Sequence, residues 1–353
     1  VVPAPRSAAA GIAALPIGSA LTVNGGMRTV EPCRTMDWTP AYADVAKTSK
    51  QMIETLRAAV ADSLPADAKE TACFLSGGLD SSSVAGAASK LLGGSQVHAF
   101  SIGFREPEYD ESEFAEAAAS PFGLDWHRHE LTPEEVTESI DAIVGAMPEP
   151  FGNSSAVAVY HCALQAKKFG CDFMLAGDGG DEIFGGNFRY AKQLVFERYH
   201  KVPAAFRRAL LEPAVRALAA STNSPIFRKA QSYIEQANVP LPDRMQSYNY
   251  LHRNRLDDIF TDSFLGRVDP DEPMEMMRTE YASCPSTDPV ARMMQLDWRF
   301  ALHDNDLVKV NSMCGLADVE VAYPMLQESM VDFAGKVPGD WRIRKGELRW
   351  FYR

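Results

Sequence analysis

Between residues 71 and 177 short apolar runs alternate with stretches of helical period, and this alternation narrows the fold more than any other feature. TACFLS (71–76), VHAFSIGF (97–104), WHRHEL (126–131) and CDFMLAG (171–177) have the length and composition of strands. Helices are predicted over 81–92, 112–120, 132–146 and 153–169. Thr132 and Glu135 stand as a capping box for the third, and Gly170 stops the fourth. Strands joined in this way by helices imply an α/β fold: a doubly wound parallel sheet with helices on both faces.

Outside that region the pattern changes. Val45, Met52, Ile53, Leu56, Ala59 and Val60 recur at helical spacing, and Pro65 ends the helix predicted over 42–64. Residues 1–40 are rich in Ala, Pro and Gly, and ALPIGSALTVNGG (14–26) reads as a short hairpin with an Asn24–Gly25 turn. After Gly186 the strand signal fades and residues 187–310 read as mainly helical, punctuated by prolines. A last apolar helix is expected over 329–335, followed by a basic segment that reads as a helix at the chain's end.

At 353 residues the length suggests about two domains. With 35 basic and 47 acidic residues the net charge is -12, which disfavours nonspecific binding to nucleic acid or an anionic membrane. No nucleic-acid and no membrane partner is expected. None of the six cysteines forms a CxxC pair or has zinc-ligand spacing, so they read as reduced thiols of a cytoplasmic protein. No apolar run could span a bilayer, and no signal peptide is evident. His127 and His129 alternate on a strand and read as packing residues; no histidine pairs with carboxylates at a metal-ligand spacing in the sequence.

Two strand ends carry the chemistry. LSGGLDSSS (75–83) follows the first strand and opens a helix. Glycines let backbone approach a ligand closely, and a helix start offers free N–H groups to phosphate. Ser76, Ser81 and Ser82 can add hydroxyl donors. The pattern is neither Walker A nor GxGxxG. Asp80 would repel a phosphate unless a cation lay between, and Mg²⁺ takes one or two carboxylates plus phosphate oxygens. The alternative is a tight strand-to-helix turn with an acidic cap. LAGDGGDEIFGG (175–186), after the fourth strand, sets Asp178, Asp181 and Glu182 among five glycines. A second such loop in one sheet favours a metal-bound polyphosphate site over two unrelated turns.

These residues carry a resemblance. SGGLDSS is similar to the pyrophosphate loop of the ATP pyrophosphatases, and together with GDGGDEIFGG it resembles the synthetase domain of the asparagine synthetase family. PEPFGNSS (148–155), NDLVKVNSM (305–313), VEVAYPML (319–326) and KGELR (345–349) resemble later segments of that family. The match runs from about residue 42 to the end. The resemblance implies the adenine nucleotide alpha hydrolase (PP-loop) type of sheet with a helical C-terminal part, and a single synthetase domain over 41–353.

It also implies an activity: an ATP-dependent, AMP-forming amide ligase. A carboxylate is adenylated, pyrophosphate leaves, and ammonia or an amine displaces AMP. Carried over by position, Leu75, Ser76, Gly77, Gly78, Asp80, Ser81 and Ser82 cradle pyrophosphate, Ile102, Gly103 and Gly177 lie by the nucleotide, and Asp80 and Asp181 hold Mg²⁺. Asp178 acts on the acyl-adenylate or incoming amine, and Lys345 stabilises the charge as the adenylate forms or breaks down. The implied substrates are ATP and a small carboxylate, aspartate first.

The chain departs from the family pattern in two places. Ala322 stands where the family has arginine in E-x-R-x-P, Ser312 and Gln327 replace charged residues, and Asn311 replaces an aspartate. These changes bear on the carboxylate substrate more than on ATP. Glutamine-dependent members begin with a cysteine on a glutaminase domain, whereas this chain has Val1, and residues 1–40 resemble only that domain's end. Free ammonia, an amine or a separate glutaminase would then supply nitrogen, or the sequence is a piece of a longer chain; a homodimer is a further expected arrangement. Two alternatives stand beside this reading: a β-lactam-synthetase-like or peptide macrocyclase enzyme with an internal amine, and a non-catalytic nucleotide-binding regulator.

Overall fold

The computed structural model describes residues 2–66, 71–222, 224–247 and 249–353. The chain forms two units: Val1–Phe184, Asp297–Arg342 and Phe351–Arg353 in the first, Gly185–Leu296 and Ile343–Trp350 in the second.

The first unit opens on a two-stranded hairpin, β1 (Ser19–Asn24) and β2 (Met27–Pro32). Asn24 pairs with Met27, so the turn is Gly25–Gly26, both at positive φ, one residue later than the predicted Asn24–Gly25 turn. Two consecutive positive-φ residues form the hairpin turn whose twist matches the strands. Leu21, Val23, Met27 and Val30 of this hairpin stay exposed.

α1 (Val45–Ser63) starts on Asp44, whose carboxylate accepts the N–H of Lys47. It buries Met52, Leu56, Ala59 and Val60 as their spacing predicts, while Val45 and Ile53 remain exposed. Then the alternation appears as expected: β3 (Thr71–Phe74), α2 (Leu79–Leu92), β4 (Val97–Gly103), α3 (Ser112–Phe122), β5 (Asp125–Glu130), α4 (Pro133–Ala146), α5 (Ser155–Lys168), β6 (Phe173–Leu175) and the short α6 (Gly180–Phe184). The capping box of α4 is formed in both directions: Thr132 Oγ1 accepts from Glu135 N at 3.2 Å, and Glu135 Oε2 accepts from Thr132 N at 2.9 Å.

Residues Val308–Leu316 form α7, Glu320–Ala322 form β7 and Glu328–Gly335 form α8. β7 is a fifth strand that the sequence pattern did not announce. All five strands are parallel, in the order β5-β4-β3-β6-β7. The chain leaves β3 toward β4 and β5, then returns to lay β6 on the other side of β3. The winding therefore reverses between β3 and β6, and ligands of such sheets bind outside the carboxyl ends of the strands at that point. One face packs Ala72, Phe100 and Met174 against Cys162, Ala163 and Ala166 of α5 and Val310 and Cys314 of α7. Helix residues of small volume allow that close approach.

The 11-residue segment Asp297–Leu307 is a π-helix. Wide turns of this kind often mark functional sites, and this one carries Asp306 beside α7.

The second unit is mainly helical, and with the segment Asp297–Leu307 and the start of α7 in the first unit it covers the stretch 187–310 that reads as mainly helical in the sequence. Phe196, Tyr199, Ile234 and Ala237 form its core. Arg244 is fully buried there, paired with Glu197 and donating to the carbonyls of Ala237 and Val239 at 3.2 and 3.3 Å. A buried guanidinium is tolerated only with its hydrogen bonds satisfied in this way. The unit also holds β8 (Ile343–Arg344) and β9 (Glu347–Leu348), an antiparallel pair. The helix expected at the chain's end is thus a hairpin: Lys345 and Gly346 both adopt positive φ, which a helix does not allow.

No disulfide joins any of the six cysteines, and all but Cys33 are buried. No helix among the described residues is long and apolar enough to cross a membrane.

Candidate active site

The loops after β3 and β6 touch because glycine leaves room. A Cβ on Gly177 would lie 2.6 Å from the backbone nitrogen of Ser81, and one on Gly180 would lie 2.3 Å from the Asp80 carboxylate. Gly77, at φ +77°, turns the chain from β3 into α2 with its Cα against the backbone of Phe114 and Ala115 in α3. The two motifs therefore form one surface at the reversal point of the sheet.

Hydroxyls order the first loop. Ser76 Oγ and Ser81 Oγ are 3.1 Å apart, Ser81 Oγ accepts from Ser76 N at 3.2 Å, and Ser76 Oγ accepts from Gly78 N at 3.3 Å. Gly78 caps α2, so Asp80 sits in that helix's first turn, where the dipole favours a negative charge. The Ser82 hydroxyl is enclosed without a hydrogen-bond partner among the described residues. Leu75 is buried, its N–H donating to Phe100 O at 2.9 Å.

A cleft of about 320 Å³ opens over these loops. Ser76, Asp80, Ser81, Gly177, Asp178, Gly179, Asp181 and Glu182 line it from the two loops, and Leu302, Asp306, Lys309 and Val310 line it from the π-helix and α7. Ile102 and Gly103 end β4, next to β3, but do not line the cleft. A Cβ on Gly103 would meet the Arg128 guanidinium at 2.4 Å. Lys345 belongs to the second unit, at the positive-φ turn between β8 and β9.

Five carboxylates thus face one lysine. Burial pushes the Asp178 pKa up to about 6, with Lys309 opposing the shift and Asp306 adding to it. Burial pushes Glu182 up to about 8, reinforced by Asp297, Asp306 and Asp80. Lys309 Nζ lies 2.8 Å from Asp306 Oδ1. Burial also raises the Tyr323 phenol, with the Asp178 charge adding to it, and Tyr323 donates to Asn311 Oδ1 at 2.9 Å. Two of these carboxyls, Asp178 and Glu182, are thus held above their ordinary range by burial, with neighbouring carboxylates adding to it. The set is all oxygen, without thiolate or imidazole, which fits Mg²⁺ rather than a softer ion.

A family model described as asparagine synthase matches residues 51–353. The chain belongs to the asparagine synthase family. Glutamine-hydrolyzing asparagine synthetase 1 of Bacillus subtilis is 23% identical over 317 residues, covering 88% of this chain and 48% of that protein. A Mycobacterium bovis protein provisionally given the same glutamine-hydrolyzing name is 24% identical over 294 residues, 79% of this chain and 41% of its own length. A provisionally named relative in Methanocaldococcus jannaschii is 37% identical over 134 residues, 38% of this chain and 26% of that one. The chain spans less than half the length of each.

For this family member the sequence named Ser76, Asp80, Ser81, Gly177, Asp178 and Asp181, and all six line the cleft. It did not name Glu182, Asp306 or Lys309 as site residues. Glu182 stood inside the second motif. Asp306 and Lys309 stood inside NDLVKVNSM, three positions apart and so on one helix face, which was the available signal.

Proposed function

We propose that the chain is an AMP-forming, ATP-dependent amide ligase that adenylates a carboxylate, with aspartate as the first candidate substrate. The observation that carries this reading is the contact between the β3 and β6 loops, where Gly177 packs on Ser81 and Gly180 on Asp80, so that Asp80, Ser81, Asp178 and Asp181 line one cleft. A site with only one loop could be a tight turn; two joined loops rich in carboxylate and hydroxyl suit a metal-bound polyphosphate.

In the reaction, a substrate carboxylate oxygen attacks the α-phosphorus of ATP and the bond to pyrophosphate breaks. The amine then attacks the acyl carbon, AMP leaves, and the amine gives up a proton. Ser76, Ser81, the enclosed Ser82 hydroxyl and the backbone of Gly77 and Gly78 are assigned to the departing pyrophosphate. Asp80 and Asp181 would hold Mg²⁺, which when bound screens the phosphate charge. Asp178, with its pKa near 6, is assigned to accept the amine proton, because a base works best when its pKa lies near the working pH. Lys309, beside Asp306 and near Asp178, is assigned to steady the phosphate end of the adenylate, and Lys345 to the same developing charge. Ile102 and Gly103, at the end of the neighbouring strand, are assigned to the adenosine side.

A second reading keeps the activation step and changes the acceptor to an amine within the substrate. Lys309 is the one cation lining the cleft among the described residues, and it is paired with Asp306. Ala322 offers no charge where the family pattern has arginine. Both observations support this second reading, in which the substrate carries no second anionic group.

Residues 1–40 are read as the end of a glutaminase-type domain and 41–353 as the synthetase domain; the exposed apolar hairpin of β1 and β2 supports that division. The first reading takes ammonia as the acceptor.

The test is ATP–pyrophosphate exchange with Mg²⁺ and aspartate and no amine. Exchange that requires aspartate and disappears in Asp80→Ala supports adenylation of aspartate. Exchange with another carboxylate alone moves the substrate to the second reading. No exchange with any carboxylate, despite tight MgATP binding, removes the ligase reading and leaves a nucleotide-binding regulator.

A further inference from the structure

Outside the cleft, β5 and its neighbours gather imidazoles and carboxylates that the proposed ligase chemistry does not use. We propose that His129, Glu135 and His161 form a site for a divalent transition ion of the zinc class, tying β5 to the start of α4 and to α5.

One ligand atom from each of the three residues lies within 4.8 Å of the others. Glu135 Oε1 is 3.0 Å from His129 Nε2, too oblique for a hydrogen bond. The Nε2 atoms of His129 and His161 are both enclosed without a hydrogen-bond partner. His161 is only 6% exposed, so its nitrogen cannot turn to bulk water. The two rings lie nearly parallel, 8° apart with centroids 6.2 Å apart. Buried polar atoms without partners are uncommon, and two converging on one carboxylate mark a space that a bound ion would satisfy.

The ligands are also prepared. Glu135 Oε2 is fixed by the capping box of α4, accepting from Thr132 N at 2.9 Å, which leaves Oε1 for the imidazoles. An outer partner that orients a ligating carboxylate in this way is typical of metal sites. Two imidazoles and one glutamate, with a position left for water, form a recognised zinc donor set. None of the three lines the cleft, but the site shares α5 with it, since Val159 lines the cleft two residues before His161.

A neighbouring group, His98, Asp125 and His127, is different. Asp125 Oδ2 lies 2.8 Å from His98 Nδ1 and 3.0 Å from His127 Nε2, and the nitrogens are 3.1 Å apart. These atoms satisfy one another without an ion and serve as the control.

The test titrates chelator-treated protein with Co²⁺ in excess Mg²⁺, which occupies oxygen-only sites and competes poorly for imidazole. The expected result is one Co²⁺ per chain with the visible absorption of four-coordinate nitrogen ligation, displaced by Zn²⁺. Glu135→Gln should weaken binding by at least about tenfold, the scale on which even outer-shell partners matter. Glutamine still completes a capping box, so that variant keeps its fold. His129→Gln should behave alike and His98→Gln should bind as the parent does. Absence of the nitrogen-type spectrum, full affinity in both Glu135→Gln and His129→Gln, or loss in His98→Gln alone would each overturn the proposal.

Discussion

Burial lifts the Glu182 pKa to about 8, and the charges of Asp297, Asp306 and Asp80 add to the shift. Its pKa in the folded chain is about 8 against an ordinary 4.5, so it contributes stability that is complete below about pH 4.5 and lost as pH rises through 8. Asp178 acts in the same sense over the lower window, from 3.8 to about 6. Each pKa unit corresponds to about 1.4 kcal/mol, so the loss is large beside ordinary domain stability. Without Mg²⁺, the chain should melt at a lower temperature at pH 9 than at pH 5. Glu182→Gln should raise the melting temperature at pH 9 and leave it nearly unchanged at pH 4, and excess Mg²⁺ should flatten the parent's slope. Melting curves across pH check this, and a Glu182→Gln variant less stable than the parent at pH 9 would show that the carboxylate is compensated. Nothing at the level of single residues in the sequence marks Glu182 apart from its neighbours; its chemistry comes from depth, which only packing sets.

At the scale of elements, the loop from β3 into α2 depends on Gly77. A side chain there meets both a positive φ and the backbone of α3 at 2.5 Å. Gly77→Ala should therefore destabilise the chain by about 1–3 kcal/mol from backbone strain, with the clash against α3 adding to it, and urea unfolding measures the loss. Gly145→Ala, in α4 with open space about it, is the matched control and should be neutral or slightly stabilising. The strands that sequence reading located lie within longer apolar runs, as β4 does in VHAFSIGF and β6 in CDFMLAG. β7 has three residues and little pattern of its own; it was quoted only as part of VEVAYPML and becomes a strand by pairing with β6. The hairpin of β8 and β9 was misread because its strands have two residues each, while the Lys345–Gly346 turn that decides it was legible only as a Lys-Gly pair. The histidines of β5 read as packing in the sequence; the groups they approach come from β4, α4 and α5 as well as from Asp125 of β5 itself, up to 32 positions away in the chain.

Across the whole first unit, the sheet order explains why the site is where it is. Reversal of winding between β3 and β6 sets their carboxyl ends side by side, and those ends carry the two glycine- and acid-rich loops. The sequence made both loops and their strands legible, and so most of the site. It could not show that the π-helix and α7 bring Asp306 and Lys309 to the same cleft, because that depends on a packing distance of more than 120 positions along the chain. The most direct test of a joined metal–nucleotide site is calorimetric ATP binding with and without Mg²⁺, in the parent, Asp80→Asn, Asp181→Asn and Gly180→Ala. Mg²⁺-dependent binding in the parent, weakened at least about tenfold (about 1.4 kcal/mol) in each variant while the folded-state spectrum is kept, is the expected result. ATP binding that ignores Mg²⁺, or that survives at full strength in all three variants, would contradict it.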